Sequence, residues 1–181
     1  MMNQRTQVLE VTTDQAPLTI RTAPSTLKIY ASGFVADGRL TMPHSQGHLA
    51  WGAREESMQH VIKYAESSDG MRWERHGHVA IPLHASGEFA VARPCVLHDD
   101  GRYRMWYSRR TPDYRMGYAE SRDGLAWTRR DSDAGLAPSP GSWDGQSVEY
   151  ACVFDADGER WMLYNGDDYG RAGFGLAMLV R

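Results

Sequence analysis

The feature that most constrains this chain is an internal repeat. Tyr64-Ala65-Glu66-Ser67-Ser68-Asp69-Gly70-Met71-Arg72-Trp73 returns 54 residues later as Tyr118-Ala119-Glu120-Ser121-Arg122-Asp123-Gly124-Leu125-Ala126-Trp127, with seven of the ten positions identical. Each copy reads as strand, tight turn, strand. Tyr-Ala-Glu suits an extended segment, Ser-x-Asp-Gly is turn chemistry in which glycine supplies positive φ, and Trp anchors the strand that follows. A second repeat interleaves with the first at a shift of 57 residues: Pro94-Cys95-Val96-Leu97-His98-Asp99-Asp100-Gly101 through Ser108 matches Ala151-Cys152-Val153-Phe154-Asp155-Ala156-Asp157-Gly158 through Asn165. Leu27-Lys28-Ile29-Tyr30-Ala31-Ser32-Gly33 is a fainter relative of it.

One unit therefore runs strand, Asp-x-Asp-Gly-type turn, strand, link, strand, Ser-x-Asp-Gly turn, strand. Four antiparallel strands in about 55 residues is the pattern of a β-propeller blade. The expectation is an all-β, β-propeller-like fold of consecutive four-stranded antiparallel blades. A single domain over residues 1–181 would hold about three blades, with units near 18–76, 88–131 and 143–180. The first unit is much diverged, with a hairpin of Leu18–Thr22 and Leu27–Tyr30 around Ala23-Pro24-Ser25. The third ends after three strands and exposes an edge that invites pairing. Residues 7–12, residues 18–22 or another copy of the chain are the candidates to cover it. Met105, Trp106 and Tyr107 recur in register as Met162, Leu163 and Tyr164, with no polar cap between solvent and the terminal blades. This predicts self-association into a homo-oligomer.

Composition excludes other classes. A net charge of −3 with 20 scattered basic residues gives no stripe for nucleic acid or an anionic membrane. No stretch approaches the ~18–20 apolar residues of a membrane span. The start, Met1-Met2-Asn3-Gln4-Arg5-Thr6-Gln7, has no apolar core of the kind a signal peptide carries, so a cytoplasmic location is expected. Two cysteines do not make a disulfide framework. Cys95 and Cys152 hold equivalent repeat positions and read as packing thiols. No cofactor and no metal is expected: His44 and His48, in the Gly- and His-rich insertion at 34–58, share no predicted helix face.

Several phrases together resemble the five-bladed β-propeller glycosidase-like proteins, in the invertase, levansucrase and arabinanase superfamily, and within it a bacterial branch found with polysaccharide genes. They are Ala92-Arg93-Pro94-Cys95-Val96, Tyr103-Arg104-Met105-Trp106-Tyr107-Ser108, Gly117-Tyr118-Ala119-Glu120-Ser121, Trp143-Asp144, Met162-Leu163-Tyr164-Asn165-Gly166 and Tyr169-Gly170-x-x-Gly173-Phe174-Gly175. The resemblance runs from about residue 27 to residue 180. It implies a glycoside hydrolase-like protein acting on a carbohydrate or glycosylated substrate. The alternatives are a noncatalytic carbohydrate-binding or assembly module derived from such a propeller, and a shortened product without activity. The departures are specific. About three blades stand where the family has five, and the family's first-blade carboxylate has no counterpart. Arg93 stands where the family's middle Asp would precede Pro94. The family's general acid, a Glu two residues before a Pro, matches Glu149, with Ala151 replacing the Pro. In another register the acid position falls on Gln146, whose amide transfers no proton.

Glycoside hydrolysis usually takes two carboxylates flanking the scissile bond. The candidates are Glu149, Asp144 and Glu88, which precede or open innermost strands, where a propeller presents side chains to its central funnel. Each can equally be a hydrogen-bonded structural carboxylate. Arg93, among apolar residues, must pair with Glu88 or Glu149 or reach into the funnel toward a substrate carboxylate or hydroxyl. Trp143 could stack on a sugar face. Gln146, Asn165, Asp168 and Tyr169 lie in polar loops that could meet sugar hydroxyls or turn the chain. Glu66 and Glu120 recur at equal repeat positions, which argues for blade structure.

Overall fold

The computed structural model describes residues 27–36, 39–41, 59–68, 71–84, 87–171 and 173–180, with side chains from residue 59 onward. The candidate strands at 7–12 and 18–22, the insertion residues His44, His48 and Trp51, and the first-copy turn residues Asp69 and Gly70 lie outside the described residues.

The fold is all-β and propeller-like. The central blade is β5 (Ala90–Asp99), β6 (Arg102–Arg110), β7 (Tyr114–Ser121) and β8 (Thr128–Arg129), paired antiparallel in that order. Its β5–β6 turn places Asp100 at φ 48° and Gly101 at φ 72°. Two consecutive residues of positive φ are the geometry that matches strand twist in a two-residue hairpin. Asp157 and Gly158, at φ 52° and 82°, repeat it between β9 (Glu149–Ala156) and β10 (Glu159–Asn165). β11 (Phe174–Met178) completes a three-stranded sheet in the order β11-β10-β9. On the other side, β1 (Leu27–Ala36) pairs with β2 (Arg39–Thr41) and β3 (Gln59–Ser67), and β3 with β4 (Val79–Ile81). One parallel pair, His60 with Ala90, joins β3 to β5.

The repeated Ser-x-Asp-Gly-x-x-Trp phrase builds a self-contained corner. Asp123 Oδ1 accepts from the Leu125 and Ala126 amides and from the Ser121 hydroxyl. The Gly124 amide donates to Ser121 Oγ, and the Trp127 indole N–H donates to the Gly124 carbonyl. These donors hold the exposed Asp123 carboxyl down at about 2.

Strand β6 divides two cores by its period-two alternation. Met105 and Tyr107 join Ile62, Ile81, Val91 and Ala119 toward the first unit. Trp106 joins Met116, Tyr118, Val148, Val153 and Met162 toward the third. A packing device recurs in both blades. Tyr107 faces Gly117 across β6–β7, and Tyr164 faces Gly175 across β10–β11. A Cβ on either glycine would lie 2.4 or 2.5 Å from the tyrosine ring, so the ring crosses the neighbouring strand only because that residue is glycine. Each tyrosine hydroxyl then donates to an aspartate, Tyr107 to Asp131 and Tyr164 to Asp144.

Candidate functional site

The innermost strands carry a bulge at the same repeat position. In the central blade, Ala92 pairs with Ser108 and Cys95 with Trp106, so Arg93 and Pro94 oppose Tyr107 alone. In the third sheet, Glu149 pairs with Asn165 and Cys152 with Leu163, so Tyr150 and Ala151 oppose Tyr164 alone. Arg93 and Tyr150, 57 residues apart, sit at φ 52° and 58°. A left-handed non-glycine costs on the order of 1–3 kcal/mol and persists only where its surroundings fix it. Bulges re-aim side chains, and these two bring Arg93 over the ring of Tyr150, 5.1 Å from its centroid. The Tyr150 amide is held by the buried Ser108 hydroxyl at 2.8 Å.

Glu149 lies at the head of this bulge. It is 1% exposed, and its Oε2 has no hydrogen-bond partner. Burial raises its carboxyl to about 7. The charge of Arg110 and a hydrogen bond from the Tyr169 backbone oppose that rise without cancelling it. The Tyr169 backbone is set by the short turn α1 (Asp167–Gly170), in which Asp168 and Tyr169 take φ 53° and 58°. Three tyrosines cluster beside the acid. Tyr114 lies 5.8 Å from both Tyr150 and Tyr169, and Tyr150 lies 6.3 Å from Tyr169. Arg110 stacks over Tyr114 and Phe89 at 5.1 and 5.0 Å.

The other expected residues divide between this cluster and structural positions. Asn165 pairs with Glu149 and donates to the Tyr169 carbonyl at 3.2 Å, tying the turn to the acid's strand. Gln146 contributes its backbone: its amide donates to Asp167 Oδ1, and its carbonyl accepts from Arg115. Asp168 is paired with Arg171 at 2.6 Å on the surface. Trp143 stacks on Tyr164 at 5.6 Å and 24°, and packs against Gly166. Asp144 is buried beneath it, with Oδ2 accepting from Tyr164 and Ser139.

Glu88 occupies a different environment. Both its oxygens accept from Arg129, each at 2.8 Å, and Oε2 also accepts the His84 amide at 2.8 Å. Arg129 continues to Asp131 at 2.7 Å, and Asp131 accepts from Tyr107 and from the Tyr118 amide. Arg93 therefore meets Tyr150, and the pairing with Glu88 considered from sequence falls to Arg129 instead. Tyr114, Tyr150 and Arg110 were not singled out by the sequence. The 57-residue frame held a signal for Tyr150, which is the counterpart of Arg93.

Among the described residues, Glu66, Glu74 and His76 are the one acidic-and-histidine group close enough to share an ion, with Glu66 half-buried and the other two exposed. Among the described residues, no helix is long and apolar enough to cross a membrane.

No family model matches the chain. Two uncharacterised proteins of Mycobacterium tuberculosis strains are 49% and 48% identical to it over 132 residues, 73% of this chain. The chain spans 44% of the length of these curated relatives. The structure is similar to a Bombyx mori GH32 β-fructofuranosidase at TM-score 0.61 and 15% identity, over 84% of this chain and 31% of that one. It is similar to a family 117 glycoside hydrolase of Zobellia galactanivorans at TM-score 0.55 and 22% identity, over 66% and 37%. It is similar to the Bacillus subtilis arabinanase at TM-score 0.53 and 14% identity, over 89% and 50%. The doubled blade, the repeated inner-strand bulge and these likenesses agree: the chain has the fold of the glycosidase-like β-propellers.

Proposed function

We propose that the protein is a glycoside hydrolase acting on a carbohydrate or glycosylated substrate, with Glu149 as its proton donor. The observation that carries this reading is the buried Glu149 carboxyl, with Oε2 unpartnered and its pKa near 7, among three tyrosines at the head of an innermost strand. A general acid works best when its pKa lies near the operating pH, and burial is a physical route to that value for a carboxyl. In the step proposed, the Glu149 O–H gives its proton to the glycosidic oxygen as the bond from the anomeric carbon to that oxygen breaks. The leaving alcohol departs neutral, and Glu149 is left ionised. Tyr114, Tyr150 and Tyr169 supply ring faces and hydroxyls for the sugar.

Glu88 and Asp144 are read as struts. A carboxylate held bidentately by Arg129 is neither a proton donor nor a free nucleophile, and Asp144 positions Tyr164 as Asp131 positions Tyr107. The carboxylate that attacks the anomeric carbon, or activates water there, is assigned outside this cluster. In the Glu149→Gln variant, turnover of glycosides with alkyl or sugar alcohol leaving groups should fall about 10²–10⁴-fold while sugar binding persists. Unchanged turnover removes Glu149 from the mechanism.

A second reading, a noncatalytic carbohydrate-binding module, is favoured by one observation: Glu88 is engaged at both oxygens, and Asp144 at Oδ2 with its Oδ1 buried and unpartnered. Sugar binding by the wild type without turnover of any glycoside decides for it.

Self-association is proposed through β11, where Phe174, Leu176 and Met178, with Leu179 and Val180 beyond it, are exposed. An apolar edge of this kind pairs readily with another strand. Sedimentation at micromolar concentration should give a dimer or larger species, and a stable monomer would refute this.

A further inference from the structure

The backbone donor that reaches the acid comes from a strained turn. In α1, Asp168 and Tyr169 are consecutive non-glycines at φ 53° and 58°, and Gly170 follows at 79°. A left-handed non-glycine costs on the order of 1–3 kcal/mol, and two in succession persist only where their surroundings fix them. The entry of the turn is fastened to the preceding loop. The Asp167 amide donates to the Trp143 carbonyl at 3.1 Å, and Asp167 Oδ1 accepts the Gln146 and Ser147 amides, each at 2.8 Å. The exit is fastened by Asn165. Its Nδ2 donates to the Tyr169 carbonyl at 3.2 Å, and Gly170 lies against its side chain, where a Cβ would stand 2.8 Å from Asn165 Cγ. Asn165 is also the register partner of Glu149 across β9–β10. One side chain therefore links the acid's strand pair to the residue whose backbone bonds the acid. Glu149 Oε2 is without a partner, so the bond from the Tyr169 backbone falls on Oε1.

We propose that Asn165 is a positioning residue for the acid: its amide holds the α1 turn in the shape that aims the Tyr169 N–H at Glu149 Oε1, which leaves the transferable proton on Oε2. This deepens the glycosidase reading and rests on it. A neutral carboxyl has one oxygen that donates and one that only accepts, and an N–H is best met by the second. Once the proton has gone to the glycosidic oxygen, the same N–H remains on the carboxylate and favours that charged form. The clamp thus directs the proton and eases its departure.

Around the acid stand Arg93 from β5, Arg110 from β6, Tyr114 from β7, Tyr150 from β9, and Asp167, Asp168 and Tyr169 from α1. The Arg110 charge acts on Glu149 in the same direction as the Tyr169 bond. Asp168 is paired with Arg171, and Asp167 accepts its two amides. Arg110 acts from a different strand, so substitution at Asn165 separates the clamp from the charge.

The test uses the full chain carrying ¹³C at its glutamate carboxyls, titrated by NMR, with Glu149→Gln identifying the resonance. Asn165→Leu removes the donor at similar volume, and Gly170→Ala disturbs the same contact from the other side. Each should raise the Glu149 midpoint by about 0.5 pH unit or more, and Asn165→Asp, which adds a negative charge, should raise it further. In turnover, the limb lost at high pH should move up with the midpoint, because the acid works protonated, and kcat should fall about tenfold with KM nearly unchanged. Tyr164→Phe, which removes the bond to Asp144 in the same sheet, should lower stability and leave the midpoint in place. An unmoved midpoint in folded Asn165→Leu or Gly170→Ala, or an equal shift in Tyr164→Phe, overturns the proposal and leaves the glycosidase reading standing. Shifted midpoints in a protein that turns over no glycoside overturn that reading and leave the clamp. A wild-type midpoint at the ordinary 4.5 overturns both.

Discussion

Glu88 and Glu149 stand at the entry ends of the innermost strands of neighbouring blades, and they are 6% and 1% exposed. Their surroundings are opposite. Glu88 meets a bidentate arginine and a backbone amide, and that arginine runs on into Asp131, Tyr107 and the amide of Tyr118. Glu149 has tyrosines nearby, the charge of Arg110 and one backbone donor, and its Oε2 is unpartnered. A buried carboxylate is stabilised as an ion only where charge and hydrogen bonds replace water; where they do not, it holds its proton. Two glutamates near the heads of neighbouring innermost strands thus differ: one fastens structural elements together, and burial shifts the other toward its protonated form. The difference lies in the residues that fold against them.

This contrast can be broken or sharpened by substitution. The largest effect on stability is expected at the fastening. Glu88→Ala leaves buried Arg129 with Asp131 as its remaining carboxylate and should cost about 3–5 kcal/mol, read from urea unfolding. A loss under about 1 kcal/mol would mean that the two carboxylates differ less than their geometry indicates.

A somewhat smaller effect is expected at the acid, and it depends on pH. The folded state raises the Glu149 carboxyl from 4.5 to about 7, so the folded protein binds this proton more tightly than the unfolded chain does. The contribution is complete below about pH 4.5 and is lost as pH rises through about 7, a change of about 3 kcal/mol against folding. Glu149→Gln should flatten the stability profile across that window and make the variant relatively more stable above pH 7. An unaltered slope would show that Glu149 does not hold its proton.

The sequence carried the blades well because their signals are local. Asp-Gly pairs fix the hairpins, Asp123 writes its own corner within six residues, and Gly117 and Gly175 recur opposite Tyr107 and Tyr164. It offered Glu149 through a family register, and Asn165 and Tyr169 through their loop, and the structure brings these three together. It did not show that Glu88 and Asp144 meet Arg129 and Tyr164, because those partners lie 41 and 20 residues away in the chain. Arg110 and Tyr114 went unnoticed for the same reason. Each reads as an ordinary strand-end residue until β6, β7 and β9 converge.

The sequence by itself determined the strand periodicity, the turn chemistry and the repeat, since these depend on backbone preferences spanning a few residues and on a period that can be counted. Only the tertiary structure decided which carboxyl meets Arg129 and which is buried with an oxygen unpartnered, and that Arg93 lies on Tyr150. Those outcomes depend on burial and on charges brought together from separate blades, and electrostatic energy in a low-dielectric interior follows distance in space and not separation along the chain.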